Sequence, residues 1–266
     1  MKWLVGLATL LVSLGVCAGT GSSGMSLPLQ LSRDAIGNEL PELVAVDARG
    51  RSVNLSELNG KPVIVSLIFT GCVHACSVAT SHLNRMVRQA RSSLGEDSFY
   101  VLTIGFDQPV DSPEAMRVYA QRHGVNDSYW HFLSLDSAGD VQRVVDAVGF
   151  YYEPSPRGYD HTVKISLFDR NGVLRHHVYG ETFSIPLMME PLKRLVLGEL
   201  PEGAGIVERV GSRIRLFCTA YDPKADRYYF DYSLFVGILI STVVLGLVLI
   251  FLIKEFRGRR QSRMAH

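Results

Sequence analysis

The sequence predicts an α/β domain followed by a single C-terminal transmembrane helix. Three observations predict it. Short runs rich in Val and Ile alternate with longer segments that repeat apolar residues at helical spacing, from Val44 to Leu197. Two cysteines, Cys72 and Cys76, sit where the longest of those short runs gives way to a helical pattern. An uncharged apolar stretch, Ser233 to Ile253, follows the alternating region, and about 20 such residues suffice to span a bilayer as a helix.

The elements follow in order. Val44-Ala45-Val46-Asp47 and Arg51-Ser52-Val53-Asn54 flank a Gly50 turn. Lys61 to Phe69 is nearly all apolar, as expected of a central strand buried on both faces. Ala79, Leu83, Met86, Val87 and Ala90 recur at helical spacing, so a helix opens near Cys76 and ends before Gly95. A strand over Ser98 to Phe106 comes next, then a helix opened by Ser112-Pro113 and running towards His123. His131 to Leu135 reads as a short strand and Ala138 to Val148 as a helix. Thr162 to Phe168 and Val173 to Tyr179 flank Asp169-Arg170-Asn171-Gly172, the loop of a predicted antiparallel hairpin. A last helix runs from about Ile185 to Leu197. A parallel βαβ half followed by a hairpin and a closing helix is a thioredoxin-like arrangement, with its chemistry at the end of the first central strand.

The two ends of the chain are apolar in another way. Met1-Lys2 and the run Trp3 to Val16 read as an export signal, residues 1–18, with Val16-Cys17-Ala18 near the cleavage point; lipidation of Cys17 is the alternative. Residues 19–37 are expected to be a flexible linker, on the strength of the Gly- and Ser-rich start. The domain occupies 38–198. Residues 199–232 form a juxtamembrane segment with a possible hairpin around Asp222-Pro223, and Tyr228, Tyr229, Phe230 and Tyr232 suit the headgroup layer. After the span at 233–253, Lys254, Arg257, Arg259, Arg260 and Arg263 make 254–266 a basic tail, which the positive-inside rule keeps in the cytoplasm. The domain is therefore expected outside, in the periplasm of a bacterial inner-membrane protein. A net charge of +1 over 266 residues gives no electrostatic case for a nucleic-acid partner.

At the cysteine motif, Phe69-Thr70-Gly71-Cys72-Val73-His74-Ala75-Cys76, two thiols lie one helical turn apart at a strand-to-helix junction. The positive end of the helix stabilises thiolates, the form that binds metal or attacks a disulfide. Soft thiolates favour Cu(I), whereas structural zinc usually takes four protein ligands and no second cysteine pair is present. A third ligand has to come from elsewhere, and His161 in Gly158-Tyr159-Asp160-His161-Thr162 is the leading candidate.

These residues resemble a known family. The strand, the motif Thr70-Gly71-Cys72-Val73-His74-Ala75-Cys76, then Asp160-His161 ahead of a strand ending in Phe168-Asp169-Arg170-Asn171-Gly172, are similar to the Sco/SenC copper chaperones of cytochrome c oxidase assembly. The resemblance covers roughly residues 38–198 and implies that Cys72, Cys76 and His161 bind copper. The implied client is the dinuclear copper site of oxidase subunit II, with a copper donor or thiol reductant as a second partner. Val73 and Ser77 stand where family members usually carry proline, and the anchor is C-terminal where the family's is commonly N-terminal.

Other readings stay open at this point. The same dithiol, Cys72 and Cys76, suits a thiol-disulfide oxidoreductase, for which His161 is dispensable. A peroxidase is a weaker reading, since Thr70 lies only two residues before Cys72. A plain structural disulfide in a non-catalytic interaction module is a further one. Asp160 can orient His161 or merely cap its turn, His74 can add a nitrogen, Met188 or Met189 can add a sulfur, and Cys218 is either a functional thiol or an inert one.

Overall fold

The computed structural model describes residues 26–58, 60–72, 74–198, 211, 219–222 and 227–264. The expected export signal, Cys17 and Cys218 lie outside them. The chain opens with helix α1 (Leu27–Asp34), then strands β1 (Val44–Asp47) and β2 (Ser52–Asn54) and a 3-10 turn at Leu55–Leu58. Strand β3 (Val63–Ile68), helix α2 (Ala75–Leu94), strand β4 (Tyr100–Gly105), helix α3 (Pro113–Arg122) and strand β5 (Trp130–Ser134) form two consecutive βαβ units. Helix α4 (Ala138–Val148) leads to a small hairpin, β6 (Tyr152–Ser155) and β7 (Gly158–His161). Strands β8 (Lys164–Phe168) and β9 (Leu174–Tyr179) and helix α5 (Ile185–Leu197) complete the domain. Beyond it come β10 (Thr219–Asp222), β11 (Arg227–Phe230) and helix α6 (Ser233–Met264).

Seven strands make one sheet in the order β2-β1-β5-β4-β3-β8-β9. The middle three are parallel, and β8, β9, β1 and β2 extend them antiparallel on the two sides. All six residues of β3 are buried, as the unbroken apolar run requires of a strand covered on both faces. Helix α2 packs on α5, and also reaches α3 through the Thr80 and Tyr119 hydroxyls, 2.9 Å apart, and through Asn84 donating to the His123 carbonyl. The β8–β9 turn is organised by Asp169: one carboxylate oxygen accepts from the Asn171 and Val173 amides and the other from Arg175. Gly172 takes the positive φ that the turn needs, +75°.

Two elements differ from expectation. Helix α1 lies inside the stretch 19–37 expected as linker, so that linker ends before Leu27. Leu27, Leu29 and Leu31 alternate instead of repeating at helical spacing, and the helix docks through a polar residue, the fully buried Ser32. The second element is the β6–β7 hairpin, which puts His161 at the end of a strand of its own. Neither arm alternates apolar with polar, and Pro154 argues against a strand, so pattern alone gives no signal. Strands β10 and β11 pair antiparallel, Thr219 opposite Phe230 and Asp222 opposite Arg227. Among the described residues, one helix contains a segment long and apolar enough to cross a membrane, Phe235–Ile253, 19 residues long.

Candidate metal centre

The carboxyl ends of β3 and β4 and the β6–β7 hairpin meet at one edge of the domain. After β3 the chain turns at Phe69, whose carbonyl accepts from the Cys72 amide at 3.1 Å, and enters α2 at Ala75. No side chain of the usual capping kind closes that helix. Instead the Cys72 sulfur accepts from the Cys76 amide at 3.3 Å. A thiolate there faces the helix's positive end.

The structure brings Cys72, Cys76 and His161 together. Their ligand atoms all lie within 4.8 Å of one another, and among the described residues no other group of three or more His, Cys, Asp or Glu does so. The Cys76 sulfur is 3.6 Å from His161 Nε2. His161 Nδ1 lies 3.4 Å from the Thr162 carbonyl, which can only accept, so the ring proton belongs on Nδ1 and the Nε2 lone pair faces the sulfurs. Cys76 is buried, 2 % exposed, while Cys72 is half-buried. The donor set is two sulfurs and one nitrogen, with Cys72 the more accessible of the sulfurs. Such a set suits copper and offers no carboxylate to a hard cation.

The two thiols differ in acidity. The hydrogen bond from the Cys76 thiol, supported by the Cys76 and His74 amides and by His161, lowers Cys72 to about 5 against the opposing effect of burial. Cys76 is pushed up, first by giving that hydrogen bond and then by its own burial. The pair thus holds one thiolate at neutral pH, on the more exposed of the two sulfurs.

The remaining candidates fall away from the cluster. Asp160 is exposed and has no hydrogen bond to His161, whose Nδ1 partner is the Thr162 carbonyl. His74 is exposed at the start of α2 and outside the ligand group. Met188 and Met189 are both fully buried in the core.

Sequence reasoning missed three residues beside the site. Asp111, 3 % exposed, accepts from both the Thr70 amide (2.7 Å) and the Thr70 hydroxyl (2.6 Å). Burial raises its carboxyl above the usual range, against those hydrogen bonds. Asp107 accepts from the Tyr159 hydroxyl at 2.9 Å. Their position in the loop after a parallel strand is a signal, because sites on such sheets gather at carboxyl ends. Around them Phe69, Phe106 and Phe150 pack their rings 5.6 to 5.9 Å from the His161 ring.

A model of the SCO1/SenC family matches residues 38–197. No curated protein sequence matches the chain. Among solved structures, a proposed electron transfer protein from Aquifex aeolicus VF5 is 25% identical, covering 62% of this chain and 95% of its own, with a TM-score of 0.57. Bradyrhizobium japonicum ScoI with copper bound is 23% identical, covering 60% of this chain and 99% of its own, with a TM-score of 0.50. BsSco, described as a member of the Sco family of cytochrome c oxidase assembly proteins and as carrying a disulfide switch, is 16% identical, covering 61% and 96%, with a TM-score of 0.54.

Proposed function

The chain belongs to the SCO1/SenC family, and from that premise we propose that it is a membrane-anchored copper chaperone that delivers the ion to the dinuclear copper site of cytochrome c oxidase subunit II. The observation that carries this reading is the convergence of Cys72, Cys76 and His161 from two distant segments on a point where one ion can touch all three. The copper held by the Bradyrhizobium protein and the oxidase-assembly role of the family that includes BsSco support it.

Copper is the cargo. The Cys72 thiolate meets Cu(I) first, because it is the more accessible and the ionised sulfur. Cys76 gives up its proton as the second Cu–S bond forms, and the His161 Nε2 lone pair supplies the third contact, which matters more for Cu(II). Delivery then needs only a recipient whose ligands are softer or more numerous. Helix α6, through Phe235–Ile253, anchors the domain, and the basic tail from Lys254 onward keeps the C-terminus in the cytoplasm and the domain in the periplasm.

The test is an anaerobic Cu(I) competition titration of the reduced protein beside its Cys72→Ser/Cys76→Ser and His161→Ala variants. Wild type is expected to bind one ion tightly, the double cysteine variant to lose it, and His161→Ala to weaken Cu(II) more than Cu(I). Equal binding by wild type and the double cysteine variant overturns the copper reading.

A second reading is favoured by the asymmetry of the dithiol. An ionised, accessible Cys72 backed by a protonated, buried Cys76 is the pairing that thiol-disulfide exchange uses, with Cys72 attacking a partner disulfide and Cys76 resolving the mixed disulfide. His161→Ala separates the two, since exchange is expected to survive it unchanged while Cu(II) binding weakens.

A further inference from the structure

The cysteine loop and the histidine hairpin are distant in sequence and belong to different sheets. Among the described residues, strand β7 pairs only with β6, outside the seven-stranded sheet. The join between them runs through the loop from Asp107 to Asp111, between β4 and α3. Asp111 Oδ1 accepts two hydrogen bonds from Thr70, two residues before Cys72, and its Oδ2 accepts from the Asp107 amide at 2.9 Å. The Asp111 amide donates back to the Asp107 carbonyl at 2.8 Å, and Ser134 Oγ donates to the Asp111 carbonyl at 2.6 Å, which fixes the loop to β5. Asp107 Oδ1 then accepts from the Tyr159 hydroxyl, two residues before His161.

The backbone accommodates this chain closely. A Cβ on Gly105 would stand 2.4 Å from the Asp111 Cβ, and one on Gly158 would stand 2.7 Å from the Phe69 ring, so both glycines permit the approach. The Tyr159 ring packs edge-on to Phe69 and Phe106, 5.3 and 5.4 Å between centroids, which leaves the hydroxyl as its directional contact.

We propose that Asp107 and Asp111 are positioning residues that hold the cysteine loop and the histidine hairpin in register, with the Tyr159 hydroxyl as the latch that keeps His161 in the ligand set. The inference rests on the copper reading of the site for its metal readout. With the latch closed the site offers two sulfurs and a nitrogen. With it open the hairpin keeps its ring packing and the weaker Cys76–His161 contact but loses its charge-assisted hydrogen bond, and His161 leaves the ion more readily than Cys72 and Cys76 do. Two thiolates suffice for Cu(I), whereas Cu(II) gains from the imidazole. The latch therefore sets the preference between the two oxidation states.

Tyr159→Phe tests this in the full chain in detergent, because it removes one oxygen and keeps the ring. Removing one hydrogen bond is expected to lower Cu(II) affinity by roughly three- to tenfold, with Cu(I) affinity changed less than about twofold. The sulfur-to-Cu(II) charge-transfer band shifts, and amide hydrogen exchange in 156–162 of the metal-free protein rises. Asp107→Asn, which keeps an oxygen for the Tyr159 hydroxyl, is expected to preserve both affinities. Equal loss of both affinities in Tyr159→Phe, or unchanged Cu(II) binding, overturns the latch. Failure of the copper reading is recognised separately: wild type then binds copper no better than Cys72→Ser/Cys76→Ser. In that case the exchange measurement alone decides the latch, and unchanged protection of 156–162 overturns it.

Discussion

Cys72 and Cys76 stand one helical turn apart, yet one is exposed enough to react and the other is sealed beneath it. Because the hydrogen bond from Cys76 is the largest cause of the low Cys72 value, the two properties are one. In reduced, metal-free protein, iodoacetamide is expected to label Cys72 down to about pH 5 and to spare Cys76, as read by mass spectrometry. In Cys76→Ala the midpoint of labelling is expected to rise by at least about one unit. An unmoved midpoint would assign the shift to the Cys76 and His74 amides and to His161 instead. The two thiols were legible in the sequence because a cysteine pair at a strand-to-helix junction has few bland explanations. His161 was legible only through its resemblance to a family motif, since one histidine in a loop has many. Asp107, Asp111 and Tyr159 were not legible. Aspartate and tyrosine in loops are common, and their value here comes from contacts across 41 and 52 residues of sequence.

At the level of elements, the regular alternation of the chain made the central strands and the helices after them readable, because long apolar periods survive tertiary context. The small pieces were not readable, since their reasons are tertiary. Helix α1 is held by a buried polar knot. The Lys164 amine donates to the Ser32 hydroxyl and to the Val148 and Gly149 carbonyls, while His177 donates from Nε2 to the Ser32 carbonyl and accepts from Ser166 at Nδ1. Gly149 is required at this junction, with φ +57°, because a Cβ there would lie 2.2 Å from the Leu31 carbonyl oxygen. Burial lowers the Lys164 amine from its ordinary 10.5 to about 7. Between those values the unfolded chain binds more protons than the folded one, so Lys164 makes folded-state stability rise with pH above about 7. Below about 7 both states carry the proton and the dependence vanishes. Lys164→Met is expected to flatten this part of the profile in denaturant titrations at pH 7 and pH 9. An unchanged difference between those two pH values would remove Lys164 as its source.

For the whole molecule the proposed anchor matters as much as the fold. The expected export signal and the basic residues from Lys254 onward would imply the same orientation from opposite ends of the chain. In spheroplasts, added protease is expected to digest the domain while an epitope placed after His266 stays protected until the membrane is opened. Digestion of that epitope in sealed spheroplasts would reverse the topology. The fold has a separate consequence for the metal. His161 lies 85 residues along the chain from Cys76, and the unfolded polypeptide cannot hold both on one ion without closing that loop. Copper held by all three ligands therefore acts as a removable cross-link, and since Cys72 and Cys76 can still hold the ion in the unfolded chain, it stabilises the native state only by the ratio of folded to unfolded affinity. If the chain carries copper as proposed, the laden form is expected to resist unfolding and proteolysis more than the empty form, and the protein would then be more easily degraded once its ion has left.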